Sequence, residues 1–160
     1  MALLINNLCC RALDDSETCE HKTRYLEAES YVRSQGVRVG YAPDGAKDDS
    51  WRVGRSNPDP PGIVIWTTAF EIYGWEIVTS VLIHEYGHCK LYEAERICDD
   101  SIEAERKAND YGSRYMPPNL VPARYEEHRR FFLQSYETRG RLTTRDHWLE
   151  AIRDWPGTEV

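Results

Sequence analysis

Strand-like runs occupy the stretch from Val37 to Thr68 of this chain, and helical patterns flank it on both sides. From Asp14 to Gln35 the pattern predicts a helix. Asp14, Asp15 or Ser16 supplies its cap, Glu17 suits its first turn, Tyr25 and Leu26 give apolar contacts, and Gly36 gives a stop. Val37-Arg38-Val39-Gly40-Tyr41 alternates like a half-buried strand. Ala42 to Ser50, with Pro43-Asp44-Gly45, is turn material, and Trp51-Arg52-Val53-Gly54 predicts a second strand. Ser56 to Gly62 carries Pro58, Pro60 and Pro61 and reads as a loop, unfit for a helix or a central strand. Gly62-Ile63-Val64-Ile65-Trp66-Thr67-Thr68 is β-branched and apolar, the strongest strand pattern in the chain. It suits an edge strand that pairs with an extended peptide, and it equally suits a strand buried on both edges.

A long helix follows, from Glu71 or Trp75 to Arg96, with Gly74 softening its start. Ile77, Val81, His84, His88 and Leu91 recur on it at helical spacing. Ser101 to Gly112 predicts a further helix, ended by Pro117, Pro118 and Pro122. Arg124 to Thr138 predicts another, with Tyr125, Phe131, Phe132 and Tyr136 as apolar anchors and Gly140 as its stop. Thr143 or Thr144 caps a last helix through Trp148, Ile152 and Trp155, and Pro156 and Gly157 end it. The resulting expectation is an α+β fold with a short antiparallel or mixed sheet and a helical C-terminus. No repeat, linker or low-complexity tract divides it, so residues 1–160 are read as one domain.

Composition narrows the classes. At 160 residues, 41% hydrophobic and 29% charged, the chain can bury a core. A net charge of -7 argues against a direct grip on nucleic acid, which needs clustered Lys and Arg. No apolar run has the length that spans a bilayer. The start, Met1 to Cys10, is briefly apolar but lacks a basic leader and is interrupted by Asn6 and Asn7. It is read as part of the fold, and the expected compartment is the cytoplasm. Cys9, Cys10, Cys19, Cys89 and Cys98 are odd in number and lack framework spacing, which predicts free thiols. Cys9, Cys10, Cys19 and His21 are the weaker candidates for a second zinc site, without paired Cys-x-x-Cys spacing.

The chemistry lies in Ile83-His84-Glu85-Tyr86-Gly87-His88-Cys89. On a helix, His84 and His88 stand one turn apart on one face, where two neutral imidazoles can hold one metal ion. Glu85 then sits beside the metal, placed to take a proton from metal-bound water. Gly87 costs the helix roughly 1 kcal/mol relative to Ala, a cost that a closely approaching second helix would explain. Tyr86 is read as packing.

A catalytic zinc site has three protein ligands and one open position. Glu103 and Glu105 on the next helix are the candidates for the third. They lie two apart, so only one can face the metal. Asp99, Asp100, Arg106, Lys107 and Asp110 share the face of Glu103, which reads as solvated. Cys98, Ile102, Ala108, Asn109 and Gly112 share that of Glu105, which reads as packed. Glu105 is therefore the predicted ligand. Asn109, one turn later, can hydrogen-bond a ligating imidazole and fix its ring. His128, His147, Tyr111 and Tyr115 are candidates to assist as oxyanion stabilisers, with a packed or solvated role the stronger reading for each.

His84-Glu85-Tyr86-Gly87-His88, then Glu105-Arg106-Lys107-Ala108-Asn109-Asp110-Tyr111-Gly112, then Tyr115-Met116-Pro117, resembles the ImmA/IrrE metallopeptidases. These are gluzincins, similar in core to thermolysin. The resemblance covers roughly Ile63 to Pro117. It implies a small zincin-like domain, with His84, His88 and Glu105 holding Zn²⁺, Glu85 as general base and Asn109 behind the ligands. Tyr111 and Gly112 stand where Phe and Ala are common in that family, and Tyr115 where Leu is common. Metzincins and SprT-like peptidases fit less well, because Leu91 replaces the metzincin glycine and no third His follows at short spacing. The resemblance further implies a protein or peptide substrate, such as a DNA-binding repressor encoded near a phage or mobile element. Two other readings stand beside the zinc endopeptidase. One is a non-catalytic, zinc-stabilised binding module whose fourth ligand is a side chain such as Cys89. The other is a metal-free relic used for interaction.

Overall fold

The computed structural model describes residues 16–42 and 54–139. Helix α1 runs Ser16–Ser34, two residues short of Gly36. Strand β1 is Arg38–Ala42, β2 is Gly54–Pro58 and β3 is Pro61–Trp66. Helix α2 runs Thr68–Glu95, α3 Ile102–Tyr115 and α4 Tyr125–Arg139, with a short 3-10 turn at Pro118–Leu120 before α4. The fold is α+β, with a small three-stranded mixed sheet and mostly helical content among the described residues. The expected helix beyond Gly140, the segment from Met1 to Asp15, residues 43–50 of the expected turn and residues 51–53 of the expected second strand lie outside the described residues.

The strand order is β1-β3-β2. β3 pairs in parallel with β1, Val39 opposite Ile63, and antiparallel with β2, Ser56 opposite Ile63. The apolar β3 run is thus central and has no free edge, which excludes the edge-strand option for it. The loop expected over Ser56 to Gly62 is corrected as well. Its first half completes edge strand β2, and Pro58 pairs with Pro61 across a tight hairpin. Proline is tolerated there because an edge strand leaves one row of its backbone groups unpaired.

Helix α2 crosses the middle of the molecule. Gly74, at φ 78 and ψ 168, breaks its first turns from the rest, a conformation that costs a glycine little. Beyond it Val78, Leu82, Ile83 and Tyr86 are fully buried, as are Ile65 of β3 and Tyr25, Ala28 and Val32 of α1. Each such aliphatic side chain contributes on the order of 1.5–3 kcal/mol by leaving water. Tyr25, Phe70 and Trp75 form an aromatic group at one end, with ring centroids 5.0 Å (Tyr25–Phe70) and 4.6 Å (Phe70–Trp75) apart. Leu26, expected to pack, is 40% exposed; Ala28 and Val32 join Tyr25 on the buried face of α1 instead. Tyr86 packs as expected, edge-on to Tyr31.

Helix α3 begins at Ser101, whose hydroxyl accepts the Ala104 N–H at 3.1 Å, a side-chain cap. It lies against α2 with almost no space between the backbones. A Cβ added to Gly87 would overlap the Ala108 carbonyl and lie 2.8 Å from the Gly112 nitrogen. A Cβ on Gly112 would in turn overlap the Ile83 carbonyl. This is the close helix approach that the glycine inside the histidine motif predicts. No helix among the described residues is long and apolar enough to cross a membrane.

Candidate metal centre

The interlocked glycines set the depth at which α3 meets α2, and that depth brings Glu105 over the histidines. His84 Nε2 lies 3.1 Å from His88 Nε2 and 2.9 Å from one Glu105 carboxylate oxygen. His88 Nε2 lies 3.5 Å from the other oxygen. The two imidazoles meet edge-on, 85° apart, so their ring nitrogens converge rather than stack. Tetrahedral coordination at about 2.0–2.1 Å separates neighbouring ligand atoms by about 3.3 Å. The 3.1 Å between the two ring nitrogens, and the 2.9 and 3.5 Å from them to the two oxygens of the Glu105 carboxylate, lie close to that spacing. Two nitrogens and a carboxylate also form the donor set that zinc accepts at hydrolytic centres. Among the described residues, His84, His88 and Glu105 are the group of acidic, thiol or imidazole side chains close enough to share an ion. Glu103, the rejected candidate, is 81% exposed.

The candidate ligands are held from behind. His84 Nδ1 meets Asn109 Oδ1 at 3.1 Å, and the Asn109 amide nitrogen donates to the Glu105 carbonyl at 3.0 Å. With its nitrogen committed there, Asn109 presents an acceptor to the ring. Nδ1 therefore carries a proton, which leaves Nε2 as the ring nitrogen turned toward Glu105 and His88. Asn109 is buried, so this orientation is not diluted by solvent.

The same closeness sets the charges. Burial works against a charged His84, but the Glu105 carboxylate outweighs it, with help from Glu85 and Asn109, and holds the imidazole up at about 9. Burial also works against a charged Glu105, yet the His84 and His88 rings hold its carboxyl well below the usual range. The two shifts describe one close pair, an ionised Glu105 beside a protonated His84.

The centre opens on a cleft of about 570 Å³. Edge strand β2 forms one wall, the Ile97–Asp100 segment another, and α4 contributes His128, Phe132 and Leu133. Glu85 lines the cleft beside His84 and His88, and a Cβ on Gly54 of β2 would come within 3.3 Å of its side chain. Strand β2 therefore passes directly over the motif.

Other sequence candidates fall elsewhere. Tyr111 donates to Glu95 at 2.7 Å and stacks on Tyr115, and both lie outside the cleft lining. That removes them as oxyanion stabilisers. His128 does line the cleft, but it is packed, its Nδ1 2.6 Å from the Ser80 hydroxyl. Burial pushes its pKa down to about 4. Cys89 is buried, its Sγ 4.0 Å from the Asn57 carbonyl, and its thiol is pushed up to about 12 by burial. It stands outside the group of His84, His88 and Glu105. Cys98 and Ile102, expected on the packed face of Glu105, are exposed. His147, Cys9 and Cys10 lie outside the described residues, as does the Cys19 side chain. His21 of that group sits 3.7 Å from Glu76.

Sequence reasoning placed Tyr125 as an apolar anchor and missed its hydroxyl contact with Asn109, and it missed the Ser80–His128 pair. An aromatic at the start of a helix reads as packing, and a hydroxyl partner many residues away leaves no local signal. Comparison with protein-family models, curated proteins and solved structures gave no match to this chain.

Proposed function

We propose that the chain is a zinc-dependent endopeptidase of gluzincin type, acting on a protein or peptide. The observation that carries this reading is the convergence of His84, His88 and the Glu105 carboxylate, close enough to share one ion, on a cleft that Glu85 lines. When bound, Zn²⁺ would polarise a carbonyl oxygen and acidify water. Glu85 accepts the proton of the attacking water and returns it to the leaving amine. Asn109 keeps His84 in the tautomer that leaves Nε2 free. Strand β2 offers an edge along the cleft on which an extended peptide can add as a further strand.

The zincin-like fold and the ImmA/IrrE-like assignment belong to this proposal. They rest on the motifs in α2 and α3 together with the α2–α3 packing that unites them. A DNA-binding repressor as substrate is what that resemblance implies, and a reducing compartment such as the cytoplasm suits the free thiols of Cys89 and Cys98. Cys89 turned toward Asn57 counts against the zinc-stabilised binding module, which needs a side chain in the fourth position.

Glu85→Gln tests the reading. It should bind zinc like the wild type and cleave a responsive protein substrate about 10²–10⁴-fold more slowly. Undiminished cleavage by Glu85→Gln would refute the mechanism.

A further inference from the structure

We infer that Tyr125 is a positioning residue for the metal centre, acting through Asn109 on His84. This rests on the zinc reading above and assigns the first residue of α4 a part in it.

The prolines after α3 put Tyr125 in place. The Leu120 N–H donates to the Pro117 carbonyl and the Tyr125 N–H to that of Pro122, so consecutive turns bring α4 back against α3. The Tyr125 ring is 3% exposed. Its hydroxyl donates to two oxygens of one residue, the Asn109 backbone carbonyl at 3.1 Å and the Asn109 side-chain Oδ1 at 3.4 Å. Oδ1 is also the atom that meets His84 Nδ1. The amide of Asn109 is thereby held at three points: by Tyr125 and His84 at its oxygen, and by the Glu105 carbonyl at its nitrogen. A bond shared between backbone and side chain fixes the Asn109 side chain relative to its own helix, which is what aiming an imidazole requires. Core packing alone would need the ring of Tyr125 and not its hydroxyl.

Tyr125→Phe keeps the ring and removes the donor. The Asn109 carbonyl still receives the Ser113 hydroxyl at 3.1 Å, so the helix backbone is not left without a partner. The test is zinc affinity of the full chain, measured by competition with a chromophoric chelator, for wild type, Tyr125→Phe, Asn109→Ala and the double variant. Tyr125→Phe should weaken zinc binding about tenfold, the lower end of what outer partners of metal ligands contribute. In the Asn109→Ala background the same change should have no further effect, because its route to His84 is gone. The metal-free melting curve of Tyr125→Phe should overlay that of the wild type.

Wild-type affinity in Tyr125→Phe, or effects of the two changes that multiply, would overturn the inference while leaving the zinc reading intact. A metal-free melting point lowered in step with the affinity would assign Tyr125 to the core and overturn it too. A wild-type chain that takes up no zinc would remove both.

Discussion

Gly87 lies directly beneath the carbonyl of Ala108: a Cβ on the glycine would overlap that oxygen and sit 2.7 Å from its carbon. The opposing atoms are backbone and cannot swing aside as a side chain would. The contact falls one residue before His88 and three after Glu105, so the tightest point of the helix pair is also the point that sets the ligand geometry.

Gly87→Ala should therefore destabilise the chain although alanine favours a helix. Overpacking costs typically 1–3 kcal/mol and the propensity gain returns about 1, leaving a net loss of about 2 kcal/mol if the cost falls at its upper end. Urea unfolding of the metal-free chain measures it. Zinc affinity should fall as well, because moving α3 outward carries Glu105 with it.

Ser101→Ala should cost about 1 kcal/mol, the usual loss when a serine cap is removed. The Ser101 hydroxyl accepts the Ala104 N–H one residue before Glu105. Denaturant titration reads the stability change, and a matching fall in zinc affinity would show that fraying the start of α3 reaches the ligand.

Acid should weaken the fold through His128. Its folded-state pKa is about 4, below the ordinary 6.5 of the unfolded chain, because burial penalises the charged ring. Between those values the unfolded chain takes the proton first. The stability contribution is thus complete above about pH 6.5 and is lost as pH falls toward 4, at about 3 kcal/mol in all. Arg124, Glu127 and His21 act on the same ring with smaller effect. Urea midpoints between pH 4.5 and 7.5 should fall with acid in the wild type and less steeply in His128→Asn. Parallel slopes would contradict this.

Chelation should leave the fold standing. The buried group of Tyr25, Ile65, Val78 and Leu82 lies on α1, β3 and α2 and needs no ion to pack. Far-UV circular dichroism of the chelated chain should remain native-like, with a lower melting temperature because zinc binds only the folded state. Complete unfolding on chelation would favour a structural zinc instead.

Most of the centre was legible because its signals are local. Histidines four apart, a solvated face under Glu103, the Ala108, Asn109 and Gly112 part of the face under Glu105, and a glycine where a helix would prefer alanine each follow from helical periodicity, whereas Cys98 and Ile102 of that face are exposed. The sheet was less legible. The apolar run Ile63-Val64-Ile65 looks the same whether its strand has one neighbour or two, and only pairing with both β1 and β2 makes it central. Ser56-Asn57-Pro58 reads as loop because an edge strand over a cleft needs neither alternation nor β-branched residues. Tyr125 read only as an apolar anchor because the partner of its hydroxyl, Asn109, lies sixteen residues earlier.

The most direct measurement is zinc content at neutral pH, by elemental analysis of the wild-type chain and of Glu105→Ala after dialysis against the same dilute zinc buffer. Ligation by His84, His88 and Glu105 predicts about one zinc per wild-type chain and a large loss in Glu105→Ala. A wild type without zinc, or a Glu105→Ala chain that holds as much as the wild type, would contradict it.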